Sequence, residues 1–378
     1  LLMTSKKNIG IVKPKIFKSL IPLKLQSGEI LTEYNLIYET YGALNKKKDN
    51  AILVCHALTG NHHLAGRHSS KDKYPGWWDN LIGPNKPLDT NKFFVIGVNN
   101  LGGSDGSSGP KSINKQTKKL WGSDFPIITV EDWVSSHEAL ITSLNISKLA
   151  GVVGGSLGGM QAIQWSIQFP ERLNHSIVIA AAPNLTAQNI AFNEVARQSI
   201  ISDPDFNKGN YYEKTGRPKR GLRIARMLGH ITYLSDDVLG SKFGRKLKNK
   251  KYKYDFSTEF EIESYLNYQA DKFAEEFDAN TYIRMTKALD YYDPSKGGKS
   301  NLSKVFKKIK SKFLVISFTS DWRFSPDRSK EIVKALLDNN IDVKYAEITA
   351  ASGHDAFLMA EPRYHSILKS YFNKMLVN

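Results

Sequence analysis

Three side chains in this sequence carry chemistry when read together. Ser156 lies between glycines in "VVGGSLGGMQAIQW", residues 152–165, where Gly154–Gly158 matches G-x-S-x-G. The pattern suits a nucleophilic hydroxyl on a sharp strand-to-helix turn. Neighbours two residues away lack side chains, so strand and helix can pack closely. The following helix aims its first amides and its dipole at the place where an oxyanion develops. A glycine-rich turn can also cradle a phosphate or merely join two elements, so the motif alone leaves those readings open. A serine nucleophile of this kind needs an acid and then a histidine downstream. Asp321 in "TSDWRFSP" and His354 in "TAASGHDAF" meet that order. The chemistry would be acyl transfer, with His354 as the base and Asp321 as its orienting acid. Two backbone amides would hold the oxyanion. One is that of Leu157, just after the nucleophile; the other is that of Leu58, in "HALTGNHH".

These residues need a scaffold that brings them to one place. Six apolar, β-branched runs read as buried strands: 51–55, 93–98, 149–153, 176–181, 313–318 and 343–348. Helix-like or polar stretches separate them, which predicts a mostly parallel, doubly wound sheet covered on both faces. Ser156, Asp321 and His354 each follow the C-terminal end of one such run, the edge where open α/β sheets collect their ligands. The early stretch "IPLKLQSGEILTEYNLIYETYG" alternates, with "SG" as its turn, and reads as antiparallel strands added at one edge. Between 184 and 303 the strand signal disappears and helical spacing takes over. The expected organisation is an α/β core over 1–183, a helical lid insertion over 184–303, and the rest of the core over 304–378.

Composition limits the other readings. The chain has 378 residues and a formal net charge of +16. Its lysines are scattered, the densest run being "KLKNKKYKY" (residues 246–254), and no nucleic-acid-binding motif accompanies them. A lysine-rich solvated surface is the plain reading, and it would also attract a polyanionic small molecule. No apolar run approaches the length of a membrane span. The start, "LLMTSKKNIG", lacks the apolar core of a signal peptide, and Met3 reads as a natural beginning. The one cysteine, Cys55, fits a reducing compartment, so the cytoplasm is expected. His56, His62, His63 and His68 invite a metal site. No cysteine or carboxylate joins them at ligand spacing, so none is expected. His137, Met160, Ile163 and Trp165 read as core residues.

Longer segments carry a resemblance. "CHALTGNHHLAG", "PGWWDNLIGPNKPLDTNKFFVIGVNNLGG", "GGSLGGMQAIQW", "QNIAFNEVARQ", "RGLRIARMLGHITYLSD", "FDANTYIRMTKALDYYD" and "SGHDAF" together resemble the homoserine O-acyltransferases of the α/β-hydrolase fold, the MetX family. The similarity covers nearly the whole chain. It implies that Ser156 takes an acyl group from an acyl-CoA and passes it to the hydroxyl of L-homoserine, a step toward methionine. It also implies Arg226 for the substrate carboxylate and Asp355 for its amine, and a lid that covers the site and helps form a homodimer. A zwitterionic amino acid needs such a pair; Arg220 and Arg223 are the near alternatives to Arg226. No cofactor is implied beyond the acyl-CoA co-substrate, and neither nucleic acid nor membrane is an expected partner.

The family contains acetyl and succinyl users. A succinyl group carries a carboxylate that is costly to bury without a cation. Arg323, two residues after Asp321, is where the resemblance to the succinyl-CoA branch places an arginine. Asn61 and Asn85 depart from that branch's pattern. The expectation is succinyl transfer from succinyl-CoA. The alternatives are acetyl transfer, a plain esterase, or a non-catalytic protein on the same fold.

Overall fold

The computed structural model describes residues 8–376; Met3 lies outside them. An eight-stranded sheet forms the centre. Its strands are β1 (Lys15–Ser19), β2 (Tyr34–Tyr41), β3 (Ala51–Cys55), β4 (Phe94–Val98), β5 (Leu149–Gly155), β6 (Leu173–Ile179), β7 (Lys312–Phe318) and β8 (Val343–Ile348). In space they run β1-β2-β4-β3-β5-β6-β7-β8. β1 and β2 are antiparallel, as are β2 and β4, and every later pair is parallel.

The parallel strands read as apolar runs because both faces are covered. Along β3, Leu53 and Cys55 face one hydrophobic core and Ile52 and Val54 the other, the period of two that a strand imposes. The first core is closed by α1 (Val130–Ser143), α2 (Leu157–Gln168) and α9 (Pro326–Leu337), the second by α10 (Pro362–Met375) and the loop carrying Trp78. Met160, Ile163, Trp165 and His137 are fully buried.

The two edges differ from the sequence reading. The "SG" turn joins a separate two-stranded ribbon, Leu23–Lys24 with Ile30–Leu31. The same stretch does supply β2, which is antiparallel to both its neighbours in the main sheet, but the outermost strand is β1, whose sequence "KIFKS" is largely solvated. At the other edge β8 is also only partly buried. Edge strands tolerate lysines because one side has no neighbour to pack.

Between β6 and β7 the chain forms only helices among its longer elements: α3 (Ala187–Ile201), α4 (Lys219–Tyr233), α5 (Asp236–Lys242), α6 (Glu261–Glu276), α7 (Ala279–Tyr291) and α8 (Leu302–Phe306). α4 packs on α3, on α6 and on the 3-10 turn Gly353–Leu358 that carries His354. The basic run at 246–254 lies in an exposed loop. No helix of the described residues is long and apolar enough to cross a membrane.

Candidate active site

The turn between β5 and α2 sets the serine. Ser156 adopts φ 57° and ψ −122°, a conformation costing on the order of 1–3 kcal/mol for a residue with a side chain. Its N–H donates to the Ile179 carbonyl at 2.9 Å, which ties the turn to β6. The flanking glycines have steric reasons. A Cβ at Gly154 would lie 2.1 Å from the Gly158 carbonyl, and one at Gly158 would lie 2.1 Å from the Cys55 carbonyl. Neither backbone obstacle can swing away as a side chain can.

The structure brings Ser156, His354 and Asp321 together. Ser156 Oγ is 2.7 Å from His354 Nε2, and His354 Nδ1 is 2.6 Å from Asp321 Oδ2. The other aspartate oxygen accepts the amides of Arg323 at 3.1 Å and Phe324 at 2.8 Å. The carboxylate is therefore fixed, and it selects the tautomer with hydrogen on Nδ1. That leaves Nε2 free to accept the serine proton. Asp321 is 1 % exposed, His354 3 % and Ser156 8 %, so the array opens at its serine end. Phe324, Phe357 and Tyr233 surround the imidazole, with ring centroids 4.8, 5.6 and 6.1 Å away.

Leu157 begins α2, and Leu58 follows β3 at the same edge, because β3 and β5 are paired with Cys55 opposite Gly154. The β3 loop is anchored to α2 where Gln161 donates to the His56 carbonyl at 3.1 Å. Asn61 donates to Asp105 at 2.9 Å and caps the His63 amide. Asn85 takes a left-handed conformation, φ 64°, which asparagine tolerates better than most residues.

Arg323 projects from the loop after β7 and is only 6 % exposed. Its Nη1 donates to Thr232 Oγ1 at 2.6 Å, its Nη2 to Asn193 Oδ1 at 3.3 Å, and its guanidinium lies 5.2 Å from the Tyr233 ring centroid. Those partners come from the lid. Among the described residues Arg323 has no ion-pair partner. Arg226 on α4 is in the same position: its guanidinium stacks on Phe273 at 4.7 Å and its Nε is buried without a hydrogen bond. Its neighbours differ, since Arg223 pairs with Asp271 and Arg220 is exposed. Burial raises the Asp355 carboxyl above its ordinary range, opposed by His354 when its imidazole is protonated and by the positive charge of Arg226. A cavity of 470 Å³ is lined by Arg226, Phe273, His63, Trp77 and Lys272.

The histidines hold a feature that sequence spacing missed. Glu39, from the middle of β2, is completely buried and faces His62, His63 and His68. A carboxylate does join them, from 23 residues upstream of His62. The only local signal was an acidic residue flanked by tyrosines in an otherwise packed strand. His56 takes no part: its Nδ1 donates to the Ala57 carbonyl at 2.7 Å and its Nε2 accepts the Asn100 amide at 3.0 Å. Thr232 and Asn193, which hold Arg323, were also missed.

Comparison with known proteins places this geometry in a lineage. The family model described as the alpha/beta hydrolase fold matches residues 50–360. The chain is 56 % identical over 373 residues to the homoserine O-succinyltransferase of Neisseria meningitidis serogroup B, covering 99 % of this chain and 98 % of that protein. Among solved structures, the homoserine O-acetyltransferase of Bacillus anthracis aligns with a TM-score of 0.90 at 28 % identity, over 96 % of this chain and 98 % of that one. Esterase E22 aligns with a TM-score of 0.87 at 29 % identity, over 96 % of this chain and all of that one. The chain belongs to the α/β-hydrolase fold and, within it, to the homoserine O-acyltransferase family of acyltransferases.

Proposed function

We propose that the chain acts as a homoserine O-succinyltransferase, moving the succinyl group of succinyl-CoA to the hydroxyl of L-homoserine. One observation carries the reading. Among the described residues two arginines, Arg226 and Arg323, stand without carboxylate partners in the lid and loop that surround the serine–histidine–aspartate array. The reaction brings two carboxylates to the site, one on the acyl group and one on the amino acid. A fixed guanidinium fork suits each of them.

The steps follow from the hydrogen bonds. His354 Nε2 takes the proton of Ser156 as Oγ attacks the thioester carbonyl. The amides of Leu58 and Leu157 are the donors for the developing oxyanion. The tetrahedral adduct collapses, the C–S bond breaks, and the imidazolium gives its proton to the departing thiolate. Asp321 stabilises the imidazolium in between. Homoserine then binds with its carboxylate on Arg226 and its ammonium on Asp355. His354 deprotonates the homoserine hydroxyl, which attacks the acyl-serine, and the same proton returns to Ser156. The aromatic rings around His354 and the helices of the lid keep bulk water from the ester, which favours transfer over hydrolysis.

The active species is a homodimer in the cytoplasm. The lid helices expose Ile190 and Val195 on α3 and Ile224 and Ile231 on α4, an apolar surface of the kind that association covers. The functional test is CoA release with succinyl-CoA and with acetyl-CoA, each with and without homoserine. The reading requires homoserine-dependent release with succinyl-CoA preferred. Equal release without homoserine would make the protein a hydrolase, and preference for acetyl-CoA would reassign the donor.

A further inference from the structure

The carboxylate of Glu39 is a convergence point for four other side chains. One oxygen, Oε2, accepts from the Tyr41 hydroxyl and lies 2.9 Å from His63 Nδ1. The other, Oε1, lies 2.5 Å from His68 Nε2 and 3.5 Å from His62 Nε2. The Oε2 side is satisfied by donors from Tyr41 and His63. On the Oε1 side only His68 is within hydrogen-bond distance, which leaves His62 unexplained. His62 is only 5 % exposed, and both of its ring nitrogens are buried without a hydrogen-bond partner among the described residues. Leaving such a group unsatisfied is unfavourable, so an orphaned imidazole aimed at a buried carboxylate calls for a ligand.

We propose that Glu39, His62 and His68 bind one divalent transition-metal ion of the zinc class. One ligand atom from each of the three falls within 4.8 Å of the others. Metal–ligand bonds of about 2.0–2.1 Å in tetrahedral geometry set ligand atoms about 3.3 Å apart. The His62–Glu39 separation already matches, and His68 exchanges its hydrogen bond to Oε1 for the ion. Two imidazoles with one carboxylate suit zinc, whereas magnesium and calcium prefer all-oxygen sets and copper(I) prefers sulfur. His63 and Tyr41 hold the second carboxylate oxygen and orient the first. The His68 side chain is 40 % exposed and gives the ion an entry path.

The site is separate from Ser156. Its ligands come from β2 and from the loop after β3, the same loop that carries Leu58 near its start and places His63 on the cavity wall with Arg226. Occupancy would fasten that loop to β2. The ion's role is therefore to brace the oxyanion loop, not to touch the substrate.

The test uses the full chain stripped with a chelator and titrated with Co²⁺ and Zn²⁺. The expected result is one Co²⁺ bound per chain with visible d–d absorption of a low-coordinate site, displaced by Zn²⁺, and a rise in thermal midpoint on Zn²⁺ addition. Glu39→Gln and His62→Asn should weaken binding at least about 10-fold. Either core change can unfold the protein, so His68→Asn, at a partly exposed position, is the decisive variant and should show the same loss while keeping its fold by circular dichroism. Absence of a visible cobalt band in wild type, or cobalt binding that His68→Asn leaves unchanged, overturns the assignment.

Discussion

Replacing Arg323 with leucine should change which acyl donor the protein accepts. The guanidinium has five N–H bonds, and among the described residues only two have partners, on Thr232 and Asn193. Three remain for a carboxylate arriving on the acyl chain. Two charge-assisted hydrogen bonds of about 1.5–3 kcal/mol each would be lost with the side chain, or about 3–6 kcal/mol in total. At about 1.4 kcal/mol per tenfold change, kcat/KM for succinyl-CoA should fall by roughly 10² to 10⁴. Acetyl-CoA has no carboxylate at that place and serves as the internal control. The triad is insulated from the change, because Arg323 supports Asp321 through its backbone amide and not through its side chain. The assay is thiol release at saturating homoserine, with both donors, on wild type and Arg323→Leu. Equal loss with both donors would mean that Arg323 supports the fold or the triad. Unchanged succinyl turnover would remove it from donor binding altogether.

Two further outcomes follow from packing and protonation. Gly158→Ala forces a Cβ to within 2.1 Å of the Cys55 carbonyl. It should destabilise the protein by about 3 kcal/mol or more and abolish acylation, and a urea midpoint within error of wild type would refute the steric account. Burial holds the His56 imidazole down at about 4 and the His137 imidazole down at about 3. In the unfolded chain both take up protons below about pH 6.5. The unfolded state then binds more protons than the native one, so stability falls with pH from about 6.5 downward and is flat above. Each histidine contributes about 2 kcal/mol of loss between pH 7 and 5. Urea unfolding at the two pH values checks this, and equal stability at both would contradict neutral burial.

Much of the site was legible because its demands are local. The turn that carries Ser156 needs small residues at fixed offsets, and those offsets survive as G-x-S-x-G whatever the rest of the chain does. Asp321 was legible for a related reason: it follows β7, buried along nearly its whole length and therefore an apolar run, whereas His354 follows β8, which is only partly buried but still carries Val343, Ala346 and Ile348. β1 was not legible. Its residues "KIFKS" pack on one neighbour only, so nothing in them is forced to be apolar. The Leu23–Leu31 ribbon misled in the opposite way, since its alternation and "SG" turn describe a hairpin equally well inside or outside the main sheet. Glu39 and the Arg323 partners were invisible because they depend on which distant segments meet. A buried carboxylate among histidines and an arginine gripped by Thr232 and Asn193 are products of the topology, and one-dimensional spacing does not encode them.

The account rests on Ser156 carrying the acyl group. Brief mixing of the protein with succinyl-CoA and no acceptor, followed by quenching and peptide mass spectrometry, tests this most directly. The expected product is one succinyl group on the peptide containing Ser156, absent in Ser156→Ala and discharged by L-homoserine. Transfer to homoserine at full rate by Ser156→Ala, or a succinyl group that homoserine fails to remove, would contradict it.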